Sequence, residues 1–345
     1  MLRSLFIGLS GNKAVRGWAE QSRAGRRLAS RFVAGTSVED AVAACERVNA
    51  QGIAVSLDSL GESVTAEGEA RAAAEIYHRL LDAIAGRKLT ASGLHPTHDD
   101  ETLMEGAPGR LGLDAQVPEA RDGSRDANVS LKLSQMGFDI SPALAEEIVG
   151  EVVSHAARVG SFVRIDMEGS AYTEATIALT ERLHMRFPGS VGTVLQAYLY
   201  RTGEDAERLL AQGIRIRLCK GAYKEPPELA FPAKADVDAN YVKLMKRMAA
   251  FEVDGVRIFC GIATHDEAIV EEMLRFVRER AIARGAFEFQ MLYGVRRDLQ
   301  RRLAAEGFGV RVYVPFGTAW YPYFMRRLAE RPANVVFLAK NLLRS

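Results

Sequence analysis

The chain has 345 residues, room for one large α/β unit or two smaller domains and for a core that needs no covalent staples. Its 45 Lys and Arg against 44 Asp and Glu leave a net charge of +1, so no global field favours nucleic acid or an acidic surface. Cys45, Cys219 and Cys260 are scattered with no CxxC pair, which excludes a disulfide scaffold and a zinc ribbon and fits a reducing compartment. No apolar run reaches the ~18 residues of a membrane span, and neither GxGxxG nor GxxxxGK[ST] occurs.

Residues 1–36 carry Arg3, Arg16, Arg23, Arg26, Arg27 and Arg31, with Glu20 the only acid. A transit peptide or a membrane-surface helix has this composition; the expectation adopted is an N-terminal helical segment, 1–40, packed on a main domain, 41–345. In that domain, strand-like runs at 52–58, 128–133, 161–166, 192–198, 213–219, 256–262, 286–292 and 309–315 alternate with helical patterns such as 67–84, 142–157, 237–250 and 266–283. Thr264, with Glu267 three residues on, predicts a capping box at the start of the last of these helices. Strands alternating with helices imply a parallel sheet. Eight such units predict an α/β fold of the (βα)8 TIM-like barrel type, distorted, with extra N-terminal helices. A doubly wound open sheet would carry fewer strands and a glycine fingerprint.

Residues 88–127 break the rhythm and read as an insertion, about 91–126, ahead of the second strand and on the N-terminal face of the barrel. Its His95, His98 and Asp99 match no standard metal-ligand spacing, so it reads as solvated loop.

Barrel chemistry sits at the C-terminal ends of the strands. There the sequence places Lys132, Asp166, Gln196, Arg217, Lys220-Gly221-Ala222, Thr264-His265, Gln290 and Tyr313. Buried charges are costly unless paired or ligand-bound, so a rim of this kind points to a polar ligand. The alternative for any single residue is an outward side chain or a structural ion pair such as Lys132–Asp166. Past the eighth strand, Tyr323, Arg326, Arg327 and Glu330 recur at helical spacing and share one face. Two adjacent guanidinium groups suit a carboxylate, and Glu330 is one turn away to hold one of them. Thr264-His265 at a helix start, with Lys220 followed by glycine, suits a phosphate or pyrophosphate. A tight turn and a plain N-cap are the simpler explanation of the same residues.

Several segments together resemble the proline dehydrogenase family, in its stand-alone bacterial type: 130–135 (SLKLSQ), 165–168 (IDME), 195–200 (LQAYLY), 217–223 (RLCKGAY), 263–265 (ATH), 287–294 (FEFQMLYG), 311–315 (RVYVP) and 323–330 (YFMRRLAE). The resemblance implies FAD held non-covalently in the barrel mouth and oxidation of L-proline to 1-pyrroline-5-carboxylate. Electrons would go to a membrane quinone, and the product to a separate pyrroline-5-carboxylate dehydrogenase. By the matching motifs, Arg326 and Arg327 grip the substrate carboxylate, Lys132 and Asp166 line the pocket, and Tyr313 and Tyr323 pack on the proline ring. Arg217 lies near flavin N5, while Met167, Gln196, Lys220, Gly221, Ala222, Thr264 and His265 hold the cofactor. No metal is implied. The expected location is the cytoplasm, loosely attached to the inner face of the membrane. Cys219 stands where the family usually has valine, a small apolar exchange with little expected effect. The main rival chemistry is a barrel aldolase or lyase using Lys132 or Lys220 as a Schiff-base amine. A phosphate-binding isomerase or a cofactor-free amino-acid sensor would use the same groups differently.

Overall fold

The computed structural model describes residues 29–87 and 127–330, with isolated positions 17, 22 and 25 before them. Most of the arginine-rich segment, the 91–126 insertion with His95, His98 and Asp99, and the residues after 330 lie outside the described residues. Helix α1 (Val38–Asn49) starts at a capping box: the Ser37 hydroxyl accepts from the Asp40 backbone N–H, and the Asp40 carboxylate accepts from the Ser37 N–H. Its apolar stripe, Val38, Ala41, Val42, Cys45 and Val48, is buried in the main core.

Eight parallel strands then close into a barrel. They are β1 (Ala54–Ser59), β2 (Ala127–Leu131), β3 (Val163–Ile165), β4 (Val191–Gln196), β5 (Arg215–Cys219), β8 (Cys260–Ala263), β9 (Phe287–Leu292) and β10 (Gly309–Phe316). The neighbours run β1-β10-β9-β8-β5-β4-β3-β2, and β1 pairs with both β10 and β2 to complete the cylinder. This is the predicted (βα)8 architecture. Helices α2 (Glu67–Arg87), α3 (Pro142–Arg158), α4 (Ser170–Arg186), α5 (Thr202–Ala211), α6 (Lys234–Ala249), α7 (Glu267–Glu279), α8 (Arg297–Ala305) and α9 (Trp320–Glu330) separate and follow the strands. Among the described residues, no helix is long and apolar enough to cross a membrane.

Two boundaries differ from expectation. The predicted strand 256–262 is cut in two: an antiparallel hairpin, β6 (Glu252–Val253) with β7 (Val256–Arg257), precedes β8. Asp254 and Gly255 both sit at positive φ (51° and 77°), the two-residue turn that an Asp-Gly pair favours. Helix α7 is capped by Asp266, whose carboxylate accepts from the Ala268 N–H, so the expected Thr264–Glu267 capping box does not form. Thr264 Oγ1 accepts from the Asp266 N–H instead, at 3.1 Å.

Helix α9 anchors a second apolar cluster. Trp320, Tyr321, Tyr323, Phe324 and Met325 pack with Ala29, Phe32, Val33 and Val295, and with Leu60 and Leu292. Leu60 directly follows β1 and Leu292 ends β9, so this cluster fastens α9 to the C-terminal rim of the barrel.

Candidate active site

Alternation along a strand sends every second side chain into the barrel. On β10 this groups Arg311 with Tyr313, and on β9 Glu288 with Gln290. The strand ends of β1, β2 and β3 then add Asp58, Lys132 and Asp166. The result is a compact charged cluster. Asp166 Oδ1 accepts from Arg217 Nη1 at 2.7 Å, and Asp166 Oδ2 accepts from the Tyr313 hydroxyl at 2.8 Å. Arg217 also donates to Ser130 Oγ at 3.2 Å and to Gln290 Oε1, and its guanidinium carbon lies 5.3 Å from the centre of the Tyr313 ring.

Lys132 does not form the structural ion pair with Asp166 named above as the alternative reading. Its ammonium lies 3.2 and 3.3 Å from the two oxygens of Asp58 on the neighbouring strand β1, while Asp166, beyond β3 on the other side, is engaged by Arg217 and Tyr313. Asp58 is a member of this cluster that sequence reasoning missed. It is 1% exposed and also accepts from the Tyr77 hydroxyl at 3.4 Å. Its signal was present, an acid at the end of the first predicted strand. Burial opposes the charge on Lys132, but the Asp58 and Asp166 carboxylates outweigh it and hold the ammonium well above the ordinary lysine value. Burial, then Asp166 and Asp58, push the Tyr313 phenol well above its ordinary value.

A second group gathers on the β5 side. Lys220 Nζ sits between Asp238 Oδ1 at 2.6 Å and Asp266 Oδ2 at 3.0 Å, which ties the loop after β5 to the start of α7. A carboxylate thus occupies the helix start that the sequence suggested for a phosphate. Gly221 has φ +109°, and a Cβ there would run into the Tyr198 ring. Ala222 is exposed. Thr264 is buried, and His265 Nε2 accepts from the Leu292 N–H at 2.9 Å, so a neutral His265 ring carries its proton on Nδ1. Gln196 and Met167 are buried at the ends of β4 and β3.

Glu225 extends this group. Its carboxylate accepts from the Ser170 N–H at 2.7 Å and from the Ser170 hydroxyl at 2.5 Å, and so caps α4, whose N-cap Gly169 has no side chain to do it. The third group is on α9. Tyr323 is buried, and Arg327, half-buried, places its guanidinium carbon 5.1 Å from the centre of the Tyr323 ring. The side chains of Arg326 and Glu330 lie outside what is described.

Against this geometry, the family model described as proline dehydrogenase matches residues 41–340. The chain belongs to the proline dehydrogenase family. It is 37% identical over 345 residues to proline dehydrogenase 1 of Bacillus subtilis subsp. natto, covering 100% of both chains. It is 37% identical over 321 residues to proline dehydrogenase of Deinococcus radiodurans, covering 92% of this chain and 90% of that one. The crystal structure of proline utilization A (PutA) from Bdellovibrio bacteriovorus superposes with a TM-score of 0.71 at 23% identity. That match covers 88% of this chain and 32% of the PutA chain, about a third of its length, and shows the barrel fold. Proline oxidation is the reaction that family membership gives the chain. The rival Schiff-base chemistry is not favoured: Lys132 is ion-paired with Asp58, and Lys220 with Asp238 and Asp266. Burial pushes the Cys219 thiol up to about 12, so this departure from the family's usual valine adds no nucleophile.

Proposed function

We propose that the chain oxidises L-proline to 1-pyrroline-5-carboxylate with FAD held at the barrel mouth, and that a membrane quinone takes up the electrons. The observation that carries this reading is the buried cluster Lys132–Asp58 and Arg217–Asp166–Tyr313, placed where barrel enzymes do their chemistry in a member of a proline-oxidising family. The second group of residues fits the cofactor. Gln196 Oε1 is buried with no hydrogen-bond partner among the described residues, and so is ready to accept from a bound group. Gly221 brings backbone close where a side chain would not fit. Lys220, Gly221, Ala222, Thr264, His265, Gln196 and Met167 are the residues assigned to hold FAD.

When bound, FAD supplies a two-electron acceptor for hydride from the ring carbon beside the proline nitrogen. Arg217, fixed by Asp166, Ser130 and Gln290, offers a positive charge where negative charge collects as the cofactor is reduced. Lys132 already carries its proton and is not the general base. Each oxygen of Asp166 accepts one hydrogen bond, from Arg217 and from Tyr313, so Asp166 holds these two neighbours in place. The proline amine must lose its proton before hydride leaves, since a protonated nitrogen has no lone pair for the forming iminium. Arg327, braced on the Tyr323 ring, and Arg326 beside it in sequence clamp the substrate carboxylate. Tyr313 and Tyr323 flank the proline ring. The imine product passes to a separate pyrroline-5-carboxylate dehydrogenase, and the protein works in the cytoplasm, loosely attached to the membrane that carries the quinone.

A visible spectrum of the purified protein tests this. Flavin bands that bleach when proline is added without oxygen are the expected result. A colourless protein that binds no added FAD, or bands that proline leaves untouched, would overturn the proposal.

A further inference from the structure

Beneath the mouth cluster, the barrel holds another ion pair that no step above uses. Glu288 and Arg311 are 4% and 2% exposed, and Arg311 Nε donates to Glu288 Oε1 at 2.7 Å. Arg311 Nη1 also donates to the Val55 carbonyl at 2.9 Å. Gln290 stands two residues beyond Glu288 on β9 and touches both layers. Its Nε2 donates to Glu288 Oε1 at 2.6 Å, and its Oε1 accepts from Arg217 Nε.

The amide has only one workable orientation. A guanidinium can only donate and a carboxylate can only accept, so the Gln290 oxygen must face Arg217 and its nitrogen must face Glu288. Space for the amide comes from Gly261 on β8, where a Cβ would run into Gln290 Nε2. Apolar residues of equal volume often stabilise a fold as well as a buried ion pair does, so stability alone does not explain this one.

We propose that Glu288, held by Arg311, orients Gln290 so that Gln290 fixes the Arg217 guanidinium at the barrel mouth. The Arg217 side chain is then restrained from several directions: by Asp166 at 2.7 Å, by Ser130 at 3.2 Å and, at Nε, by Gln290. The inference rests on the reading of Arg217 as the cation beside the flavin. It makes Gln290, Glu288 and Gly261 positioning residues that act through Arg217.

The test uses the holoenzyme and the midpoint potential of its bound flavin. Gln290→Met keeps the side-chain volume, removes both amide hydrogen bonds and leaves the Glu288–Arg311 pair in place. It is expected to retain FAD and the KM for proline, and to lower kcat about tenfold. It should also weaken the preference for reduced over oxidised flavin tenfold, a fall of about 30 mV for a two-electron couple. Gly261→Ala displaces the amide without removing it and should shift the potential in the same direction by less; it decides alone if Gln290→Met does not fold. Arg217→Met is the reference. Potentials unchanged in both Gln290→Met and Gly261→Ala, with Arg217→Met shifted, overturn the relay and leave the flavin reading standing. An unchanged potential in Arg217→Met overturns the reading on which the relay rests.

Discussion

The barrel interior and the helical shell use the same ion pairs at the same distances for different ends. Inside, Arg217–Asp166 and Arg311–Glu288 close at 2.7 Å. Outside, Arg182–Glu146 closes at 2.7 Å and Arg302–Glu271 at 2.6 Å. The shell pairs stitch successive helices, α3 to α4 and α7 to α8, with their side chains a third to a half exposed. Water screens such pairs, and each contributes only ~0–1 kcal/mol. The interior pairs are almost out of water and lost far more solvation when they formed. Distance therefore says little about what a pair does, and burial says much. A fold keeps several adjacent charged groups in its interior when they serve a charged ligand or one another's geometry.

The strongest way to break this contrast is to remove one interior partner. Asp58→Ala leaves the Lys132 ammonium buried without its carboxylate, and the expected loss is ~3–5 kcal/mol in chemical denaturation. A loss under ~1 kcal/mol would put the pair in the shell class. The pH dependence follows from the raised value of Lys132. Its contribution is full below the ordinary lysine value of ~10.4 and is lost only as pH rises through the higher folded value, so titration near neutral pH leaves it intact.

The same contrast explains what the sequence disclosed. Periodicity is a property of one segment, so strand order, the closed barrel and the helical 323–330 stretch were legible. The rim residues were legible too, because strand ends can be read one at a time. Partnership was not. Lys132 stands between β1 and β3 and faces Asp58, while Asp166 is taken by Arg217 and Tyr313 from across the barrel, a division that no single segment carries. Glu288 and Arg311 went unread because only the assembled barrel brings positions 288 and 311 together. At Thr264 two capping patterns overlapped, and Asp266, two residues later, won by binding Lys220 as well as the helix N-terminus. The Asp254-Gly255 turn lies just ahead of the expected strand 256–262, and the first residues of that run pair back onto β6 and stay outside the barrel.

The proposed substrate clamp lies between the two classes, since Arg327 is half-buried. A hydrogen bond to a charged group contributes ~1.5–3 kcal/mol, so Arg327→Ala should raise KM for proline roughly ten- to hundredfold while the FAD-to-protein ratio stays constant. An unchanged KM in both Arg326→Ala and Arg327→Ala removes the carboxylate-clamp assignment.

Smaller still is the capping box on the outside of the barrel, where charge meets backbone in place of another side chain. The Thr36 N–H, at 2.9 Å, is the largest influence holding the Asp40 carboxyl below its ordinary value; burial opposes it, and the Ser37 N–H and hydroxyl add to it. A depressed carboxylate contributes stability above its ordinary value of ~3.9 and loses it as pH falls through the lower folded value. Ser37→Ala should cost ~1 kcal/mol at pH 7, read from the midpoint of urea unfolding. In Asp40→Asn the acid dependence should flatten between pH 5 and 2, in the range expected from Asp40.

The weakest expected effect sharpens the comparison most. A double-mutant cycle on Arg182 and Glu146 isolates one shell pair whose two hydrogen bonds, 3.1 and 2.7 Å, are as well formed as any in the interior. Good geometry should not rescue it: the coupling is expected below 1 kcal/mol at low salt. It should fall further in 1 M salt, where the Debye length shrinks to about 3 Å. A parallel cycle on Asp58 and Lys132 should give a larger coupling that salt barely changes, because ions do not enter the barrel. Equal salt sensitivity in the two cycles would mean that the barrel mouth is as wet as the surface. The shielding that distinguishes the interior charges, and the reason to assign them to chemistry, would then be lost.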